Sequence, residues 1–173
     1  AQSAPAPQPG PDSGRFWDAY NSIKEHNPDS LLLYQVGDFF ELYGGSEGED
    51  AKSAAVALDL TLTIRKIPEY GRVSMCGFPA SRLDDYVKRL NSKGFDVVVA
   101  ALDGNQHKTT TMPASPMEKA RKFINDFCMM EHGEEADFSD LHRIALAHST
   151  TGDGQHFIDV SADLVDFRMV YQV

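Results

Sequence analysis

The segment LLLYQVGDFFELYG at 31–44 constrains the fold of this chain more than any other. It contains two apolar, aromatic-rich runs, 31–36 and 39–44, separated only by the dipeptide Gly37-Asp38. Two such runs joined by two residues predict a tight β-hairpin, in which Gly37 supplies the positive φ of the turn. The segment therefore predicts two neighbouring antiparallel strands of a sheet.

Helices and further strands alternate around this hairpin. Apolar residues recur with helical spacing after Ser13, a suitable N-cap, and again after Ser81, where Asp84 completes a capping-box pattern. An uninterrupted apolar run predicts a buried strand, and polar-apolar alternation predicts a half-exposed one. The helices are predicted at 13–27, 50–58 and 81–94, and the further strands at 60–67, 73–78 and 95–102. This order indicates an α/β domain with a mixed sheet and flanking helices.

The second part of the chain has a different pattern. The polar, proline-containing segment GNQHKTTTMPASP at 104–116 predicts a connection without regular structure. A helix is predicted at 117–131, and short strands at 143–149, 155–160 and 164–172. We therefore expect a proline-rich linker at 1–12, an α/β domain at 13–112 and a small acidic α+β domain at 113–173. The linker composition suggests that the chain is an internal segment of a longer polypeptide.

Charge and composition exclude several classes of protein. The 173 residues carry 16 Lys and Arg against 26 Asp and Glu, a net charge of −10, so the chain is not a generic electrostatic binder of nucleic acid. Residues 13–112 account for −3 of this charge and 113–173 for −6. The two cysteines, Cys76 and Cys128, lie in apolar stretches and are expected to be buried thiols. With no signal peptide or membrane-spanning run, we expect a soluble, cytoplasmic protein.

No pattern for a metal, a cofactor or catalysis stands out. His142, His148 and His156 are spaced by six and eight residues, which matches no metal-binding motif. Asp38 and Glu41 lack a lysine at a distance that would suggest a metal-dependent nuclease, and no serine lies in a Gly-x-Ser-x-Gly setting. We therefore expect no cofactor, no metal site and no enzymatic activity.

Alternation along the second hairpin strand places Phe39, Glu41 and Tyr43 on one face. Because an unpaired buried carboxylate is costly, we expect the face that carries Glu41 to be the less buried one. Phe39 would then be a partly exposed aromatic side chain beside an acceptor, which suits insertion between bases. The alternative interpretation is that Phe39 belongs to the core and Glu41 is an ordinary edge charge.

Several motifs resemble one known family. The segments VGDFFELYGGSEGEDA, AAVALDLTLTIRK, VSMCGFPASRLDDYVKRL and GFDVVVA, in this order over residues 16–102, are similar to the N-terminal mismatch-recognition domain of the MutS DNA mismatch-repair proteins. The resemblance implies that Phe39, of the Phe-x-Glu motif, stacks on a mispaired base from the minor groove. It also implies that Glu41 hydrogen-bonds to that base.

The chain departs from the family pattern in three ways. Gly45–Gly48 is an insertion, Ala100-Ala101-Leu102 replaces the usual Cys-Glu-Gln after Val99, and no GxxxxGK[ST] phosphate loop is present. The resemblance therefore implies recognition without the family's ATP hydrolysis. Residues 113–173 resemble a small accessory domain of large multidomain proteins of bacterial mobile elements, which implies no catalytic residues.

These inferences predict a non-catalytic module that binds mismatched or distorted DNA within a larger DNA-processing protein. The partners expected are DNA and other domains of the parent polypeptide, and no membrane. A candidate phosphate-facing group consists of Arg65, Lys66, Arg72, Arg82 and Lys108; the alternative is that these residues belong to an ordinary solvated surface. The alternative function is a protein-interaction or scaffold module that kept the fold and lost DNA contact. The full set of candidate DNA-binding residues is Gly37, Asp38, Phe39, Glu41, Arg65, Lys66, Ser81 and Arg82.

Overall fold

The computed structural model describes residues 14–44, 49–135, 145–150, 152, 156–162 and 165–171. The predicted linker at 1–12, Ser13 and the 45–48 insertion lie outside the described residues. Contacts within the chain divide it into two compact units, residues 1–114 and 115–173, where the sequence suggested a boundary after residue 112.

The first unit is a six-stranded mixed sheet with helices on both faces, which confirms the predicted mixed α/β class. The strand order is β3-β4-β2-β1-β5-β6, in which β1 and β5 run parallel and every other neighbouring pair is antiparallel. Its described elements are α1 (Gly14–His26), β1 (Leu31–Val36), β2 (Phe39–Tyr43), α2 (Glu49–Leu58), β3 (Thr63–Ile67), β4 (Gly71–Pro79), α3 (Leu83–Ser92), β5 (Val97–Asp103) and β6 (Gln106–Met112).

The predicted hairpin is present and lies in the middle of this sheet. β1 and β2 pair antiparallel with Val36 opposite Phe39, and the turn between them is Gly37-Asp38. Gly37 has a φ of 58°, the positive value that the turn was expected to require. On its other side β2 pairs with β4, so β2 is held by backbone hydrogen bonds along both edges.

The sheet has two separate apolar cores, one on each face. The face under α1 is built mainly from aromatic rings, and the face under α2 and α3 from aliphatic side chains and two phenylalanines. Because the central strands are buried on both faces, their segments of the sequence are uninterrupted apolar runs. The aromatic core contains Phe16, Trp17, Tyr20, Leu32, Tyr34, Tyr43, Ile67, Met75, Val98 and Ala100. The aliphatic core includes Leu31, Leu33, Phe40, Leu42, Ala54, Leu58, Phe78, Leu90, Val97 and Val99.

The prediction that 104–116 lacks regular structure was wrong. β6 (Gln106–Met112) pairs antiparallel with the whole of β5 through a turn at Gly104, whose φ is 63°. Most side chains of β6 are exposed, so the segment carries no apolar alternation that could mark it as a strand. Its three consecutive threonines are β-branched residues with good β-propensity, which was the available signal.

The capping-box prediction at Ser81 was also wrong. A 3₁₀ turn at Ala80–Arg82 precedes α3, and neither Pro79 nor Arg82 makes a side-chain cap hydrogen bond. The backbone leaves β4 directly into this 3₁₀ turn, so the side chain of Ser81 is exposed rather than folded back on the helix. This short segment lies beside the hairpin turn, because the backbone N–H of Ala80 donates to the carbonyl of Asp38.

The second unit contains one helix and a three-stranded antiparallel sheet among its described residues. The helix α4 (Pro116–His132) begins with a capping box between Ser115 and Glu118 and ends at Gly133, whose φ is 70°. The strands follow in the order β7 (Ala145–Thr150), β8 (His156–Ala162) and β9 (Val165–Tyr171). Among the helices described, none is long and apolar enough to cross a membrane.

Candidate nucleic-acid interface

Phe39 is an exposed aromatic side chain at a fixed point of the sheet. It is the first residue of β2, directly after the Gly37-Asp38 turn, and 50% of its surface is exposed, whereas Phe40 is only 3% exposed. The turn is anchored because the backbone N–H of Ala80 donates to the carbonyl of Asp38 at 2.7 Å. The structure thus presents an apolar ring to solvent on a backbone that is held on both sides.

The environment of Glu41 differs in part from the expectation. The face that carries Glu41 is the less buried one, as expected, because Phe39 is 50% exposed whereas Phe40 and Leu42 on the other face are 3% and 1% exposed. Glu41 itself is nevertheless buried, at 8% exposure. The physical reason is that the carboxylate is paired: Arg65 Nη1 lies 3.1 Å from Glu41 Oε2, and the Tyr43 hydroxyl donates to the same oxygen. A buried carboxylate is tolerated when it has such partners.

The Glu41 carboxylate nevertheless has one accessible side. Its other oxygen, Oε1, accepts no hydrogen bond from the described residues. Every buried side-chain oxygen or nitrogen of those residues has a hydrogen-bond partner, so Oε1 is not a buried atom. The residue opposite Glu41 on β4 is Gly77. A Cβ at that position would come within 3.4 Å of Glu41 Cγ and 3.0 Å of the Phe40 carbonyl oxygen. Glycine therefore leaves space beside the Glu41 side chain on β4, the strand that Arg65 crosses to reach the carboxylate.

The ring of Phe39 and the carboxylate of Glu41 lie on one face of β2, two residues apart. At about 3.3 Å per residue this separation is roughly 7 Å along the strand. An exposed ring followed at that distance by a hydrogen-bond acceptor is an arrangement that can contact the face and the edge of one displaced base.

The basic candidates do not form one group. Arg65 points to the face of Glu41, whereas Lys66, the next residue of β3, belongs to the opposite side of the strand. There Lys66, Arg72 and Ile64 line a shallow surface depression of about 340 Å³. Lys108 lies on the exposed edge strand β6. The expected phosphate-facing group is therefore dispersed over both faces and both edges of the sheet.

Ser81 and Arg82 follow Ala80, whose backbone N–H is bonded to the hairpin turn. Both are exposed, and they follow Pro79, which pairs with Phe39 in the β2-β4 register. Arg82 forms an ion pair with Asp85 at 2.9 Å, and its guanidinium lies 5.3 Å from the centre of the Tyr86 ring. Like any arginine, Arg82 is cationic at working pH, and the hydrogen bond to Asp85 raises its pKa further.

Two residues of this site were not among the sequence candidates. Tyr43 holds the Glu41 carboxylate, and burial together with the neighbouring carboxylate raises the pKa of its hydroxyl, which remains a donor at neutral pH. Gly77 leaves space beside the Glu41 side chain, which a Cβ at that position would crowd. Period-two alternation already places Tyr43 beside Glu41, and a glycine inside a strand pattern signals close approach of another group.

The structure does not add a metal site. In the residues it describes, no cluster of three or more His, Cys, Asp or Glu side chains is suited to hold a metal ion. His142 lies outside the described residues. Both Cys76 and Cys128 are free thiols; Cys76 is buried as expected, whereas Cys128 is half-buried.

Fold and site together define a mixed α/β domain that presents an aromatic ring at a hairpin turn, beside a carboxylate held by an arginine and a tyrosine. The family model for MutS domain I matches residues 15–131, which span the whole sheet of the first unit and most of α4. The chain belongs to the MutS domain I family.

Individual relatives agree with this assignment. The DNA mismatch repair protein MutS of Desulfosudis oleivorans is 31% identical over 151 residues, which are 82% of this chain and 15% of that protein. The MutS of Syntrophobacter fumaroxidans is 31% identical over 153 residues, 87% of this chain and 16% of that protein. The MutS of Solibacter usitatus is 44% identical over 80 residues, 46% of this chain and 9% of that protein. The chain thus spans only a small fraction of the length of these relatives.

Proposed function

We propose that this chain is a non-catalytic module that recognises mismatched or otherwise distorted DNA, with Phe39 as the side chain that stacks on a displaced base. The observation that carries this proposal is the contrast between adjacent residues: Phe39 is half-exposed, whereas Phe40, Leu42 and Tyr43 of the same strand are buried. Because the Phe39 ring is already exposed, it gives up few contacts within the protein when it enters a base step. There it gains a stacking contact with the displaced base.

Glu41 contributes the second contact in this proposal. Its accessible oxygen accepts a hydrogen bond from the displaced base, about 7 Å along the strand from the stacking ring. On a matched duplex no base edge is displaced, and the carboxylate then meets only the negative field of the phosphates. Phosphate repulsion acts on Glu41 in either duplex, and only a displaced base offers the hydrogen bond that offsets it, so Glu41 favours mismatched DNA.

The remaining candidates support the two base contacts. Gly37 and Asp38 form the turn that carries Phe39, and Ser81 and Arg82 lie beside it at the end of β4. In our proposal Ser81 and Arg82 contact the backbone of the bound duplex, and Lys66 supplies attraction at longer range. Few basic groups are available, so binding by this chain alone is weak, and other domains of a longer protein provide the rest of the affinity.

A protein-interaction module that retained the fold without binding DNA is the second candidate. Two observations favour it: the net charge is −10, and the arginine nearest to Glu41 is engaged in an ion pair. The two functions differ in what they require of Phe39, because a scaffold would not need this ring to discriminate between duplexes.

The test is equilibrium binding of the full chain to mismatched, matched and single-stranded oligonucleotides at low salt. We expect preference for the mismatched duplex, and Phe39→Ala should weaken that complex at least severalfold, since stacking contributes about 1–3 kcal/mol per base. Glu41→Ala should strengthen binding to matched DNA and reduce the preference for the mismatch.

Tyr70→Ala is the matched control for Phe39→Ala. Tyr70 is also an aromatic residue with 50% exposure, and it lies directly before the first residue of β4, whereas Phe39 pairs with the last residue of that strand. Eight residue steps at about 3.3 Å separate the two ends by roughly 26 Å. Equal losses from both substitutions, or no DNA binding by the parent chain, would favour the scaffold function instead.

A further inference from the structure

We infer that Arg65 and Tyr43 are positioning residues that hold one oxygen of Glu41, so that only the other oxygen is presented to a base. The inference rests on the proposed function and assigns Arg65 a role different from phosphate binding. It identifies the side chains that determine how well Glu41 separates mismatched from matched DNA.

The geometry holds the carboxylate from two strands. Arg65 Nη1 donates to Glu41 Oε2 at 3.1 Å and to the Tyr43 hydroxyl oxygen at 3.0 Å, and the Tyr43 hydroxyl donates in turn to Glu41 Oε2. Both partners bind the same oxygen, so the carboxylate cannot rotate without breaking two charge-assisted hydrogen bonds. Oε1 is thereby the oxygen left for a ligand.

Tyr43 is itself fixed by the aromatic core. Its side chain is fully buried, and its ring makes edge contacts with Phe16, Trp17 and Tyr20 at centroid distances of 5.1–5.8 Å. Because burial raises the pKa of the Tyr43 hydroxyl, the group remains protonated and continues to donate to Glu41. The position of the carboxylate is therefore coupled to the core under α1 rather than to a mobile surface side chain.

Arg65 also changes the charge that the site brings to DNA. An isolated carboxylate that approaches a minor groove meets repulsion from phosphates on both strands. With Arg65 at 3.1 Å, the pair is close to neutral as a whole, while Oε1 still accepts a hydrogen bond. The ion pair thus lowers the electrostatic cost of bringing the Glu41 carboxylate close to phosphates. The hydrogen bond from a displaced base to Oε1 is preserved.

The competing role for Arg65 is direct phosphate contact, and the two roles predict different behaviour. A phosphate contact contributes equally to mismatched and matched duplexes, and its loss reduces the log-log salt slope by about 0.9. A positioning residue acts through Glu41, so its loss reduces the preference for the mismatch and has no further effect on that preference once Glu41 is replaced.

The experiment measures binding of mismatched and matched duplexes by the full chain carrying Arg65→Gln, Tyr43→Phe or Lys66→Gln, each alone and combined with Glu41→Gln. We expect Arg65→Gln and Tyr43→Phe to reduce the mismatch preference about three- to tenfold, the worth of one net hydrogen bond. In the Glu41→Gln background neither should reduce it further. Arg65→Lys, which keeps the charge, should restore part of the preference.

Lys66→Gln is the matched control, because it removes the same charge from the next residue of β3 on the opposite side of the strand. It should affect both duplexes equally and leave the preference unchanged. Fluorescence of Trp17, the single tryptophan, verifies that each variant is folded. If Arg65→Gln does not fold, Tyr43→Phe and Arg65→Lys provide the same comparison.

Two results would overturn the inference and separate it from the proposed function. If Arg65→Gln weakens both duplexes equally, also in the Glu41→Gln background, Arg65 is a phosphate contact. If the parent prefers the mismatch and Phe39→Ala abolishes that preference while Arg65→Gln and Tyr43→Phe do not, the proposed function stands and the positioning role is refuted. A parent chain without any preference refutes both.

Discussion

The adjacent residues Phe39 and Phe40 should differ sharply in their contribution to stability. Phe40 is 3% exposed and packs in the core under α2 and α3, so Phe40→Ala creates a cavity and should cost about 3–5 kcal/mol. Phe39 is 50% exposed, and full burial of a phenylalanine contributes about 1.5–3 kcal/mol. Phe39→Ala should therefore cost only about 1 kcal/mol.

Urea unfolding of the full chain, followed by the fluorescence of Trp17, measures both costs. Trp17 is 7% exposed in the core of the first unit and is the only tryptophan, so its signal reports the unfolding of that unit. With a slope of about 2 kcal/mol per M, the unfolding midpoint should fall by about 0.5 M for Phe39→Ala and about 1.5–2.5 M for Phe40→Ala.

Equal shifts for the two variants would refute this reasoning. Phe39 would then contribute to the core as much as Phe40 does, which is the alternative interpretation raised by the sequence. A loss of DNA binding in Phe39→Ala could in that case be a consequence of unfolding rather than of a missing stacking contact.

Three further predictions follow from the geometry and charge of the chain. Tyr20→Phe should lower the free energy of unfolding by about 1–3 kcal/mol in the same urea assay, because the Tyr20 hydroxyl accepts a hydrogen bond from the backbone N–H of Tyr43 at 3.0 Å and its removal leaves that buried donor unpaired. An unchanged unfolding midpoint would contradict this. Burial raises the pKa of Cys76 to about 11, so the reactive thiolate is scarce at pH 8 and a disulfide reagent should label Cys128 first. The labelling rate of Cys76 should rise about tenfold per pH unit below that pKa, and a rate independent of pH would be inconsistent with it. DNA binding should show a log-log salt slope of only about −2 to −4, because few basic residues face the site; a slope near −10 would indicate a larger basic surface.

Local patterns in the sequence predicted most of the first unit. The hairpin follows from two apolar runs around Gly37-Asp38, and the buried strand β5 follows from its uninterrupted apolar residues. Both patterns lie within a few consecutive residues, so they can be recognised without knowledge of the tertiary structure. The resemblance to the MutS N-terminal domain is supported by the family match, whereas the mobile-element resemblance of 113–173 stays a prediction.

The site was harder to predict because its decisive contacts are non-local. Besides the nearby Tyr43, Glu41 is paired by Arg65, which lies 24 residues later and reaches it from β3 across β4. The burial cost of a carboxylate was judged from Glu41 alone, and the sequence does not show which distant residue the sheet topology will place beside it. β6 was missed for a related reason: its polar residues form a strand because β5 offers an edge to pair with, and their own pattern does not require it.

The most direct test of the account is the ¹⁹F chemical shift of 4-fluorophenylalanine placed at position 39 of the full chain. The central claim is that this ring stacks on a displaced base, and stacking moves the resonance upfield through the ring current of the base. We predict an upfield shift with a mismatched duplex, little change with the matched duplex, and no change for the same label at the buried position 40. A resonance at position 39 that responds equally to both duplexes, or to neither at saturating DNA, would contradict the claim.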